Sequence, residues 1–279
     1  MPTVLVTGAS RGIGLALAGH LAGRGWTVYA GVRSDRDGAD VCALHPDRIT
    51  AVSLDVTDAA DVAALATTLP DRLDAVVNNA GIVVAGAVEA VDVDDWRMQF
   101  DVNVFGQIAV TQAVLPKLRD ARGRIVFISS LNGQISMPLL GPYCASKFAL
   151  EAVADALRVE VRPWGIPVVL VEPAQTDTDM WRRADDMVLA AEAAMSPEQR
   201  ERYARHIAGM KSFVPAARRM AVPAAKVVAV VEEALTARRP RARYVVGVGP
   251  KVQLALMTNL PTAVRDRVMA GLARIPRRM

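Results

Sequence analysis

Short runs of β-branched and other apolar residues alternate along the chain with longer stretches in which apolar positions recur every three or four residues. The first pattern belongs to strands buried on both faces and the second to amphipathic helices, so their alternation predicts an α/β fold with a parallel sheet between two helical layers. Strands are expected at about Thr3 to Thr7, Thr27 to Arg33, Thr50 to Leu54, Ala75 to Asn78, Arg124 to Ser129, Pro167 to Glu172 and Tyr244 to Gly247. Helices carry start signals at Asp92, with Asp95 three residues on, and at Ser196-Pro197-Glu198-Gln199, a capping box with Pro at the first helical position. Gly23, Gly25, Gly123 and Gly165 are expected at helix ends, where a left-handed residue costs little. There is no internal repeat and no low-complexity linker, so residues 1–279 are read as a single domain. From about 176 to 223 the alternation gives way to helical sequence containing Met and Arg, either a lid over a substrate or an ordinary insertion.

Composition narrows the class. Of 279 residues, 52% are hydrophobic and 22% charged, which excludes extended disorder. No run approaches the roughly 20 apolar residues of a membrane-spanning helix, and the strand-like Pro2 to Val6 leaves no room for a signal peptide, so a cytoplasmic location is expected. Cys42 and Cys144 cannot frame a disulfide scaffold, and His20, His45 and His206 lack ligand spacing, so no metal site is expected. The net charge of +4 is uneven: residues 238–279 hold ten Lys or Arg against Asp266 alone, a segment of +9, which leaves −5 for residues 1–237. An acidic body argues against nucleic acid as a partner.

Thr7-Gly8-Ala9-Ser10-Arg11-Gly12-Ile13-Gly14 follows the first strand and opens a helix. Glycines there permit a tight turn, close approach of backbone to a pyrophosphate and close helix-on-strand packing, and the helix N-terminus offers N–H donors to phosphate. In this position the turn points to a doubly wound Rossmann fold that binds a dinucleotide. The end of the second strand decides which one. A carboxylate there suits the ribose 2′-hydroxyl of NAD, whereas Arg33, with Arg11 inside the turn, suits the 2′-phosphate of NADP(H), which is preferred over NAD(H). Asp55 and Val56 close the third strand; Asp55 would receive the adenine amino group or cap the helix beginning near Asp58.

Tyr143 and Lys147 stand four apart in a helical stretch and share a face. A phenol is a poor base at neutral pH, and a neighbouring ammonium is expected to favour the phenolate; lowering its pKa by ~3 requires about 4 kcal/mol, which one partly buried cation plus an oxidised nicotinamide would supply. Ser130 precedes this pair at the end of the fifth strand, on the side of the sheet where doubly wound folds bind ligands, placed to hold a carbonyl while Tyr143 gives it a proton. Asn78-Asn79-Ala80-Gly81 closes the fourth strand with small residues beside the cofactor path, or is a plain Asx turn. Asn103, a poor helix former inside a helix, is expected to bond the backbone or a water.

These residues, Thr7-Gly8-x3-Gly12-Ile13-Gly14, Asp55, Asn78-Asn79-Ala80-Gly81, Asn103, Ser130, Tyr143-x3-Lys147 and Pro173, run in the order and spacing of the short-chain dehydrogenase/reductase family, in its compact single-domain branch, which the chain resembles from residue 3 to about 178. The resemblance implies that Ser130 orients the carbonyl, Tyr143 is the acid/base, Lys147 lowers the phenol pKa and bonds the nicotinamide ribose, and Asn103 anchors a water relaying protons through Lys147. It also implies an NADP preference from Arg11 and Arg33, and a homodimer or homotetramer. Ala174 departs from the family's usual Gly after Pro173. Thr178, with Thr176 as rival, is expected to bond the nicotinamide carboxamide. The run Arg239 to Gly247 resembles family members handling retinoid or steroid alcohols.

Gln134, Ile135, Met137, Leu139 and Leu140, with Met180 and Trp181, would form a largely apolar pocket for a hydrophobic ketone, aldehyde or alcohol, or else serve lid packing or subunit contact. Cys144 is read as a small buried side chain. In the basic extension from about 250 to 279, Val264, Val268, Leu272 and Ile275 share one helical face, which would pack on the domain or a second subunit, or lie on a membrane. Expected overall is an NADP(H)-dependent oxidoreductase. The competing readings are a non-catalytic NADP(H)-binding regulator and an epimerase or dehydratase that recycles its nicotinamide.

Overall fold

The computed structural model describes residues 1–275, apart from the side chain of Met180. Nine strands run along these residues: β1 (Thr3–Val6), β2 (Thr27–Val32), β3 (Ile49–Ser53), β4 (Ala75–Asn78), β5 (Arg124–Ile128), β6 (Val168–Glu172), β7 (Thr176–Asp177), β8 (Val222–Pro223) and β9 (Arg243–Val245). Seven of them, those expected from the sequence, form one parallel sheet in the order β3-β2-β1-β4-β5-β6-β9. Val6 pairs with Ala30 on one side and Val77 on the other, so the strand order reverses at β1. Ligands of doubly wound sheets bind in the crevice that opens at such a switch point.

The helices on one face are α1 (Gly12–Gly23), α2 (Asp35–Cys42) and α10 (Ala224–Thr236); on the other lie α3 (Ala59–Thr68), α5 (Gly106–Ala121) and α6 (Gly141–Glu160). Strand alternation sorts the core accordingly. Val4 and Val6 join Leu17, Leu21 and Val231 in one cluster, while Leu5 joins Val110, Val114, Phe127 and Leu150 in the other. Each such side chain contributes about 1.5–3 kcal/mol of burial. Helix α4 (Val93–Phe100) starts on the Asp92 carboxylate, which accepts from Asp94 N, and passes through a π-turn, Asp101–Phe105, into α5.

Glycine placement differs in part from expectation. Gly25 and Gly165 have the left-handed φ of +89° and +69°. After α5, however, the left-handed residue is Arg122 (φ 51°), and Gly123 is needed for space: a Cβ there would lie 2.6 Å from the Leu73 carbonyl oxygen. Gly23 keeps helical backbone to the end of α1.

The excursion between residues 179 and 219 comprises α7 (Asp179–Arg182), α8 (Ala184–Ala194) and α9 (Pro197–Arg219), the last opening on the expected capping box at Ser196. The pairing Thr176↔Val222 and Asp177↔Pro223 closes its base. Two further helices, α11 (Val248–Asn259) and α12 (Thr262–Leu272), pack Leu254, Met257 and Met269 against Leu131 and Ile135. The tail thus docks on the domain, but not through the expected face. Met269 and Ala273 point inward, while Val264, Val268 and Leu272 are about two-fifths exposed. Pro276 to Met279, which include two of the arginines counted in the basic extension, lie outside the described residues.

Candidate active site

At the switch point Thr7 cross-links the ends of β1 and β4: its buried hydroxyl accepts from the amides of Asn79 and Ala80, both at 2.9 Å. Asn79 returns two bonds through its Nδ2, to the Thr7 and Gly8 carbonyls. The glycine turn is correspondingly tight. Gly8 (φ +63°) would place a Cβ 2.9 Å from Ala80 Cα, and Gly14 would place one 2.2 Å from the Gly8 carbonyl oxygen. Gly14 therefore lies under the cleft and supports it, while Gly8, Ser10, Arg11, Gly12 and Ile13 form its wall. Asn79 is more than an Asx turn; its side chain braces the glycine loop.

The cleft has a volume of about 690 Å³ and runs over the carboxyl ends of β1, β2, β4, β5 and β6. Arg33, Asp55, Val56, Ala80, Gly81, Pro173, Thr176 and Thr178 all line it. Asp55 does not cap α3; Asp58 does, accepting from the amides of Ala60 and Asp61. Asp55 instead accepts from the amide and hydroxyl of Thr57, and these bonds together with the nearby Arg33 guanidinium hold its carboxyl below the usual range. Arg11 is exposed and has no ion-pair partner among the described residues. The Thr176 hydroxyl is buried and spent on the Ala174 carbonyl, whereas Thr178 is half-buried at the rim.

Ser130 follows β5, its hydroxyl accepting from the Asn132 amide at 3.1 Å. Gly141 and Pro142 open α6, so Tyr143 and Lys147 fall in its first two turns and face Ser130 across the cleft floor. Lys147 is buried and donates to the Ile128 carbonyl at 2.8 Å, with its Nζ 5.9 Å from the Tyr143 ring centre. Burial pushes the Tyr143 phenol up to about 12, against a smaller opposing effect of the Ser130 hydroxyl. Burial also pulls Lys147 down to about 8, against the Glu151 carboxylate. The expected lowering of the phenol by the ammonium is therefore reversed in the protein's own residues, because desolvation disfavours both charged forms. Burial likewise raises the thiol of Cys144, which is a small buried side chain as expected.

Asn103 sits in the π-turn behind the cleft. Its Oδ1 accepts from Ile82 N at 2.8 Å, and its Nδ2 donates to the Ile82 carbonyl and to Ser146 Oγ, both at 3.1 Å. Of the two expected uses, backbone or water, the side chain is spent on protein, tying the loop after β4 to helix α6. Gln99, not anticipated, braces the same loop from Val84 N and the Ile82 carbonyl. Its only signal in the sequence is an amide four residues before Asn103; its burial is seen only in the structure.

Met137, Leu140 and Trp181 line the cleft, with Ile135 and Leu139. Gln134 does not: its amide turns inward and donates to Glu172 at 2.7 Å, because a buried carboxylate needs a donor more than an apolar wall does. The side chain of Met180 lies outside the described residues. The chamber continues between α8 and α9, past Met187, Val188, Met195, Ile207, Met210 and Phe213. Leu139 holds a left-handed φ of 61° at its corner, its carbonyl accepting from Gly86 N.

The cradle under Gly8 and Gly14, without room for a Cβ, and the glycine-lined start of α1 fit a dinucleotide pyrophosphate. The sequence profile of the short chain dehydrogenases matches residues 2–188. The chain belongs to the short-chain dehydrogenase/reductase family, oxidoreductases acting on alcohol and carbonyl groups. It is 31% identical over 278 residues to the NADPH-dependent 3-dehydrocapnine reductase of Ornithobacterium rhinotracheale, with 96% of each chain covered. With mouse retinol dehydrogenase 5 the identity is 33% over 279 residues, covering 95% of this chain and 87% of the relative. Its structure is similar to that of a short chain dehydrogenase from Burkholderia cenocepacia in complex with NADP, at a TM-score of 0.75 and 25% identity over 96% of this chain and 97% of the other.

Proposed function

We propose that the protein is an NADP(H)-dependent oxidoreductase that interconverts a hydrophobic ketone or aldehyde with its alcohol, using Tyr143 as acid/base. The observation that carries this reading is the convergence of Ser130, Tyr143 and Lys147 on one cleft floor beside the glycine turn. Bound nicotinamide dinucleotide supplies the hydride. The glycine turn and the start of α1 would hold its pyrophosphate, Arg11 and Arg33 its 2′-phosphate, Asp55 and Val56 its adenine, and Pro173 and Thr178 its nicotinamide end, with Thr176 behind them. Ser130 would hold the carbonyl oxygen, and Tyr143 would pass its phenolic proton to that oxygen. Burial keeps the phenol neutral, the form that can give this proton.

The apolar chamber supports a hydrophobic substrate with α7 to α9 as its lid. Its methionines adapt to an irregular chain, and the relatives named for 3-dehydrocapnine and retinol are consistent with that class. Titration with NADPH and with NADH, read by quenching of the four tryptophans, tests the cofactor. NADPH is expected to bind much more tightly. Tyr143→Phe should leave that binding intact and lower turnover of a hydrophobic ketone by about 10²-fold or more. Turnover at the wild-type rate would remove Tyr143 as the acid.

A further inference from the structure

Behind Lys147 lies a buried cluster of charges with no part in the chemistry so far. Helix α6 carries Tyr143, Lys147, Glu151 and Asp155 at four-residue spacing, so the carboxylate of Glu151 stands one turn beyond Lys147 on the same face. Lys147 and Glu151 are each more than nine-tenths buried, and Glu172 at the end of β6 is completely so. Arg243, on the edge strand β9, reaches all three carboxylates: Nε lies 3.0 Å from Glu151 and 3.4 Å from Glu172, and Nη2 lies 2.7 Å from Asp155. Arg158 pairs with Asp155, and Gln134 donates to Glu172.

The count of charges is informative. Three carboxyl groups face two guanidinium groups; burial favours the protonated form of Glu172, so the negative charge one helical turn from Lys147 is that of Glu151. The unsatisfied atoms point to the same place: Glu151 Oε1 and Glu172 Oε1 are buried without a hydrogen-bond partner, and the Ser129 hydroxyl beside Glu151 favours its ionised form. Gly133 leaves the space beside them, since a Cβ there would lie 2.9 Å from both Glu151 Cγ and Ser129 Oγ.

We propose that Glu151, backed by Glu172 and Arg243, is a positioning residue for catalysis: it is the counter-charge that keeps Lys147 cationic in its buried place and so sets the upper pH at which the Tyr143–Lys147 pair works. The groups facing this pair are Asp155 from α6 itself, the Ile128 carbonyl from β5 and Ser129 just after it, Gln134 from the following turn, Glu172 from β6 and Arg243 from β9. Opposite charges this close favour each other's ionised forms, and the low dielectric of the interior strengthens the effect. The role of Glu151 rests on the acid/base reading of Tyr143 and Lys147; its effect on the charge of Lys147 does not.

The test therefore reads Lys147 directly. The chain has five lysines, so the ¹³Cε signals of labelled lysine can be followed through a pH titration, with Lys147→Met assigning the signal of interest. In Glu151→Gln the Lys147 midpoint should fall by about one pH unit or more. The alkaline limb of kcat should fall with it, while KM in the plateau region changes little, and Glu151→Asp should restore both. An unchanged Lys147 midpoint overturns the proposal even if turnover drops, because a uniform loss at every pH is what a packing role would give. If Glu151→Gln does not fold, Ser129→Ala, which removes only the hydroxyl beside Glu151, should move the midpoint the same way by less; no movement there is equally decisive. A shifted midpoint without any turnover in the wild type would support the charge coupling and overturn the catalytic reading instead.

Discussion

Burial governs the charges of Tyr143 and Lys147 more than their proximity does. Tyr143 and Lys147 share a helical face, which suggests that the ammonium lowers the phenol. Burial moves the two pKa values the other way, to about 12 and about 8. Spacing gives the pair; only the depth of the cleft gives the sign. Glu172 is the same lesson in a carboxylate. Completely buried and beside Glu151, it is raised to about 8, first by burial and then by its neighbour's charge. Because its folded value is above its ordinary 4.5, its contribution to stability is full at pH below about 4.5 and is lost as pH climbs towards 8. Glu172→Gln cannot titrate, so its Tm should gain on the wild type steadily between pH 5 and 8; a constant difference across that range would contradict the assignment. Arg33 makes a further residue-scale prediction. It is 3.9 Å from Asp55 and two-thirds exposed, too loosely held for a structural ion pair. Arg33→Ala should weaken NADPH about tenfold or more, near 1.4 kcal/mol, and leave NADH unchanged in the same fluorescence titration.

At the scale of elements, what the sequence reveals follows from burial. The seven sheet strands were legible because parallel strands covered on both faces are continuous apolar runs. The two-residue strands β7 and β8 carry no such run and were not legible, although the stretch they bracket was recognised from its broken alternation. The π-turn at Asp101–Phe105 was not visible either, since an extra residue per turn leaves the apolar spacing almost unchanged. For the site, the glycine turn, Ser130, Tyr143 and Lys147 were readable because their chemistry fixes residue type and spacing together. Gln134 was misplaced because nothing local announces a carboxylate waiting on a neighbouring strand. Glu151 and Arg243 act through contacts 92 residues apart, beyond any local pattern. The glycine turn yields the sharpest test at this scale. Gly14→Ala puts a methyl 2.2 Å from the Gly8 carbonyl, and β1 and α1 must separate to accept it. A loss of about 1–3 kcal/mol by denaturant unfolding, with NADPH binding abolished, is expected; normal binding would show the turn to be looser than described.

At the scale of the whole molecule, apolar surface is left over. Met98, Phe105 and Phe148 on α4, the π-turn and α6 are each two-fifths or more exposed, and the family resemblance implies a homodimer or homotetramer. A second copy covering them is therefore expected, with Phe105→Glu shifting the mass measured by light scattering towards that of one chain. A mass unchanged by that substitution would move the interface elsewhere. Among the described residues no helix is long and apolar enough to cross a membrane, and the acidic body and basic tail remain parts of one packed unit through Met257 and Met269.

The placement of Arg243 on the last strand of the sheet has a consequence for the protein's biogenesis. Synthesis runs from residue 1 onward, so Ser130, Tyr143, Lys147 and Glu151 leave the ribosome well before Arg243. Until β9 docks, Glu151 and Glu172 lack the guanidinium that joins them, and the charge balance behind Lys147 is incomplete. Helix α6 thus receives a charged partner from the last strand of the sheet to be made, and a nascent chain completes this cluster only when the fold closes.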